Sequence, residues 1–144
     1  MCCVDPPRKL PRKLRISAAR NARSLAKAVG AKCGHKASRR RIVDAYFSRE
    51  HFDDRDGCCP LLGTASDVER RGEMVKIAYQ EVVEQMIKVF EDHLKGPRPH
   101  ERALALVALC VGGMVLARNV CDSDLADNFR RSAHAEVLRT ARWK

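Results

Sequence analysis

The sequence predicts an all-α protein, and three observations carry that prediction. Ala, Leu, Arg, Lys and Glu dominate a chain of 144 residues, and these side chains lose little freedom in a helix. No stretch sustains an apolar/polar alternation bounded by hairpin turns. Residues 73–95 and 123–142, by contrast, place apolar side chains at helical spacing. The length is that of one domain with one core. With 45% hydrophobic but only 5% aromatic residues, that core must be mostly aliphatic.

The first element is a basic arm. Residues 1–41 hold thirteen Lys or Arg against the single acid Asp5, a net +12, whereas residues 42–144 hold fifteen bases against seventeen acids, a net −2. Pro6, Pro7 and Pro11 prevent a regular helix across residues 1–16, so these form an unstructured arm and residues 17–144 the helical domain. Such an arm attracts polyanions without reading sequence, or is simply a solvated tail. Ser17 then caps a helix from Ala18 to Val29, ended by Gly30. Its apolar side, Ala22, Leu25, Ala26 and Val29, is narrow.

A second helix is expected over Ser38–His51, with Ile42, Val43, Tyr46 and Phe47 on one side and the acidic turn Asp53-Asp54-Arg55-Asp56-Gly57 as its stop. Pro60 sits at a good starting position for a short helix to Arg71, weakened by Gly63 and Thr64. Residues 73–95 form the clearest amphipathic helix. Glu73, Lys76, Gln80, Glu84, Lys88, Glu91 and Lys95 share one face, and Val75, Tyr79, Val82, Val83, Met86, Ile87 and Phe90 the other. Glu84–Lys88 and Glu91–Lys95 are spaced to pair, and Gly96-Pro97 ends the helix.

The helix from Pro99 to Val120 is different. Its residues 103–117, ALALVALCVGGMVLA, contain no polar side chain. The run would span about 22 Å, short of a bilayer core of about 30 Å, so no membrane span is expected. A helix apolar all round must be buried all round, and so small a chain can hardly enclose it alone. A second copy is the economical cover, and Gly112-Gly113 would allow a neighbouring helix to come close, either the second copy or a helix of the same chain. The last helix runs from an Asp122/Ser123 cap to Arg142, with Leu125, Phe129, Ala133, Val137 and Leu138 on one face and charges that suit the helix dipole. Two copies of these final helices would make a four-helix bundle. The expected homodimer interface is Leu106, Leu109, Gly112, Gly113, Leu116, Leu125, Phe129, Ala133 and Val137.

Chemistry-bearing motifs are sparse. The seven cysteines are odd in number and accompany no apolar secretory segment, so reduced thiols and a cytoplasmic location are expected. Cys33-Gly-His35 is an isolated pair, and no spacing suits zinc. No metal and no cofactor are expected. Gly-rich phosphate loops and nucleophile motifs are absent, and the chain is not read as an enzyme. Cys58 and Cys59 near His51 leave open a thiol–imidazole pair.

Several short segments, in order, resemble one branch of the TetR family of transcriptional regulators. They are Tyr46-Phe47-Ser48-Arg49-Glu50-His51, Asp54, Gly57-Cys58-Cys59-Pro60-Leu61 and Asp67-Val68-Glu69-Arg70. The amphipathic helix 73–95, the apolar Arg102–Arg118 helix and Val120-Cys121-Asp122-Ser123-Asp124-Leu125 follow. The resemblance covers residues 18–140. It implies an effector-binding and dimerisation domain that pairs through its last two helices. The family's N-terminal helix-turn-helix has no counterpart in residues 1–45, where no aromatic residue occurs. Such a truncated regulator would meet DNA only weakly or through a full-length partner, since phosphate contacts position a protein without reading bases. A small hydrophobic effector would lie between the helices, against Tyr46, His51, Met74, Tyr79, Met86, Phe90, Cys110 and Met114, unless these simply fill the core. The alternative is a basic-armed helical protein associated with nucleic acid without sequence specificity.

Overall fold

A computed structural model describes residues 39–54, 60–63, 68–69 and 72–143. The arm of residues 1–16, the helix expected at 18–29, Cys33, His35 and the Cys58–Cys59 pair lie outside the described residues. Within them every regular element is a helix: α1 (Arg39–Tyr46), α2 (Arg49–Asp53), α3 (Pro60–Gly63), α4 (Glu73–Glu91), α5 (Pro99–Asn119) and α6 (Ser123–Ala141). The all-α prediction is therefore what the structure shows.

The helix expected over Ser38–His51 is in fact two. Ser48 leaves helical geometry (φ −64°, ψ 156°) and its hydroxyl accepts from the His51 N–H, so it caps α2 instead of continuing α1. A serine offers the backbone this alternative wherever the chain can turn. The turn carries Phe47 into the core, 2% exposed, and frees its carbonyl for Arg130 at 2.6 Å. Of the helix expected over Pro60–Arg71, the described part comprises α3 and helical residues 68–69.

α4 ends earlier than expected, at Glu91 rather than Lys95. Beyond it the chain tightens: the His93 and Leu94 N–H groups both return to the Phe90 carbonyl, and Gly96 adopts φ +92°. That places Lys95 off the helix, and the expected Glu91–Lys95 pair does not form. Glu91 meets His100 of α5 instead, Oε1 to Nδ1 2.6 Å. Glu84 accepts from Gln80 at 2.7 Å.

α5 and α6 run antiparallel, joined by the short turn 120–122, and make the most extensive helix pairing in the described residues. Asp122 caps α6 through the Leu125 N–H at 2.6 Å. At the far end, Arg102 donates to the carbonyls of Lys95, Thr140 and Ala141. α4 and α3 cover one flank of α5, and α1 lies against α6. The core gathers Val43, Phe47, Leu61, Leu62, Met86, Phe90, Leu94, Leu106, Val107, Cys110, Met114 and Val137.

α5 is not enclosed. At about 100° of rotation per residue, Ala103, Leu106, Val107, Cys110, Met114 and Ala117 fall on one arc, and all are buried. The opposite arc carries Leu104, Ala105, Ala108, Gly112, Val115 and Leu116, half-buried or exposed. Leu104 and Leu116 are 44% and 49% exposed. The helix is long and apolar enough to cross a membrane, and 33% of its most apolar window is buried against its own chain.

Candidate functional site

Three places on the molecule gather residues with functional potential, and each is set by the helix pairings just described.

The interior is the first. Met86, Phe90, Cys110 and Met114, expected around an effector, are buried members of the packed core, and Tyr46 and Tyr79 pack partly buried against it. Met74 lies half-buried in the first turn of α4. Phe90 is stacked on Trp143, ring centres 6.1 Å apart, a residue that follows the last helix and that no periodicity singles out. His51 stacks at a tilt on Tyr46, ring centres 5.0 Å apart. Arg118 of α5 donates to the His51 and Asp54 carbonyls, and so caps the end of α2. His51 Nε2 and Arg118 Nε are both buried without a hydrogen-bond partner. Burial, and then the positive charge of Arg118, hold the His51 imidazole below its ordinary pKa, with Asp54 opposing. Its surroundings thus disfavour the imidazolium form.

The outer face of α5 and α6 is the second. Of the expected interface residues, Leu106, Ala133 and Val137 are buried within the chain itself. Gly113 is also an internal contact: a Cβ there would sit 2.4 Å from the Ala133 Cβ and 3.7 Å from Phe47. These four serve the α5–α6 pairing because they fall on the arc turned toward the chain's own helices. Leu116 and Leu125 are exposed, Leu109 and Phe129 half-buried. Around Gly112 an added Cβ would meet nothing within 4 Å. The outward set is completed by Leu104, Ala105, Ala108 and Val115, which the sequence could have offered from their rotation about the helix axis relative to Gly112.

The third place is a groove between α1 and α6 of about 260 Å³, lined by Asp44, Phe47, Ser48, Arg130, Arg131 and His134. His134 Nε2 lies 2.7 Å from Asp44 Oδ1, and the His134 ring stands edge-on to Phe47, centres 5.7 Å apart. Arg130 is held by the Phe47 carbonyl and by Asp127. Asp127 also receives Arg49 at 3.1 Å. Arg131 donates to the neutral Asn128 Oδ1 at 3.2 Å. None of these long-range pairings is visible in sequence spacing, because partners lie 78 to 90 positions apart. Among the described residues no group of three metal-ligating side chains converges.

No protein-family model matches the chain, and no curated protein matches it.

Proposed function

We propose that the chain is the dimerisation and effector-responsive portion of a TetR-type transcriptional regulator, working as a homodimer. The observation that carries this reading is the uncovered apolar arc of α5. Leu104 and Leu116 are exposed at its two ends, with Ala105, Ala108 and Gly112 between them.

That spacing is self-complementary. In an antiparallel pairing of two α5 helices about a two-fold axis between Ala108 and Gly112, Leu104 of one copy covers Leu116 of the other, as an isologous contact requires. Gly112 fits the same picture. A glycine inside a helix costs about 1 kcal/mol relative to alanine, and no neighbour among the described residues requires it. The backbone of a second helix approaching at that point would. α5 and α6 side by side offer a plate of about 30 by 20 Å, enough for two copies to bury more than the about 1,000 Å² of a specific interface.

Light scattering and sedimentation of the purified chain test this reading. A dimer at micromolar concentration is expected, converting to a folded monomer in the Leu104→Glu/Leu116→Glu double variant. A wild-type monomer, or partition of the wild-type chain into lipid vesicles in place of self-association, would overturn it.

The +12 charge of residues 1–41 favours a second reading, salt-dependent association with nucleic acid regardless of sequence. Loss of that binding on deleting residues 1–16, with the oligomeric state unchanged, would support it.

A further inference from the structure

We propose that the groove between α1 and α6 is a binding site for a small organic carboxylate with a flat apolar body. The proposal stands on the groove alone and needs neither the dimer nor the regulator reading.

The groove holds about 260 Å³ and opens to solvent between Phe47 and Ser48 on one side and Arg130, Arg131 and His134 on the other. This is just under the about 300–1,000 Å³ of pockets for drug-sized ligands, and so suits a compact molecule. Its basic side chains are not equivalent. Arg130 is committed to the Phe47 carbonyl and Asp127. His134 is committed to Asp44, which Arg40 also approaches at 3.6 Å. Arg131 carries a full charge whose hydrogen-bond partner is a neutral amide oxygen at 3.2 Å, so exchange for a carboxylate would strengthen that contact. A planar guanidinium presents paired N–H donors that match a carboxylate's two oxygens. Across the groove, the Ser48 hydroxyl accepts from the His51 N–H at 3.1 Å, which leaves its own O–H to donate.

Charge and shape narrow the ligand further. Asp44 lines the groove and Asp127 lies beside it on Arg130, so a doubly charged anion would meet two carboxylates at close range, whereas a single charge can sit on the Arg131 side. The Phe47 ring is buried behind His134 and edge-on to it at 74°, so the half-buried His134 imidazole is the ring that a flat body would meet.

Benzoate is a suitable probe, followed by NMR of the full chain. Saturable shifts of the His134 ring signals and of the Ser48 amide are expected. Arg131→Gln should weaken the affinity about tenfold, in keeping with loss of one charge-assisted hydrogen bond. Arg139→Gln removes the same charge from an exposed arginine of α6 that faces Glu136 outside the groove, and should leave benzoate binding unchanged. The proposal is overturned if benzoate gives no saturable shift at millimolar concentration, if inorganic phosphate gives the same shifts at the same concentrations, or if the two variants lose affinity equally.

Discussion

The inner and outer faces of α5 are built from the same residue types and do different work. The inner arc, Leu106, Val107, Cys110, Met114, is sealed by α3, α4 and α6. The outer arc, Leu104, Ala105, Ala108, Gly112, Leu116, has no cover among the described residues. Gly113 and Gly112 sit at the boundary, one pressed on Ala133 and the other facing open space. Adjacent and chemically identical, they differ only by one residue's rotation, and that rotation decides whether a methyl group would clash or add to the helix.

The largest test of this contrast is a pair of truncations. Leu106→Ala should destabilise the fold by about 2–5 kcal/mol, the usual cost of a cavity at a fully buried leucine, as read by urea denaturation. Leu116→Ala should leave the monomer's stability nearly unchanged and act on self-association instead. Equal losses in both would erase the distinction between the faces. Next in size, Gly113→Ala should cost about 1–3 kcal/mol through overpacking against Ala133. Gly112→Ala should then raise helix stability by about 1 kcal/mol while weakening the dimer, so that thermal stability measured at low concentration rises as association falls. The smallest effect concerns the end of the inner face, where His51 lies under Arg118. Its lowered pKa means the unfolded chain binds the proton that the folded chain refuses. The associated stability is complete above about pH 6.5, the ordinary histidine value, and is lost as pH falls through the lowered value of the folded state. His51→Gln should flatten that part of the pH–stability curve, and an NMR titration of the His51 ring should give a midpoint below the ordinary value.

The sequence announced the long helices because their signals are local. Pro99 opens α5, Asp122 caps α6, and the two-sided pattern of α4 requires no knowledge of its neighbours. The break at Ser48 was not legible, since a serine reads equally as a helix residue or as a cap until tertiary contacts on Phe47 choose. The same holds for Arg102, Arg118 and Arg130, whose guanidinium groups serve carbonyls of distant segments. In the sequence they are indistinguishable from solvated arginines. The candidate interior residues were recognised as a group, but most of them are packing partners. The groove at Asp44 and His134 depends on two helices whose pairing no spacing announces.

The Arg102 contacts have a mechanical consequence. With the turn 120–122 at one end and a guanidinium bolted to the last carbonyls of α6 at the other, the final two helices form a closed frame instead of an open hairpin. The same α6 holds the segment around Asp44 and Phe47 through His134 and Arg130, so the frame ties three helices of the chain together.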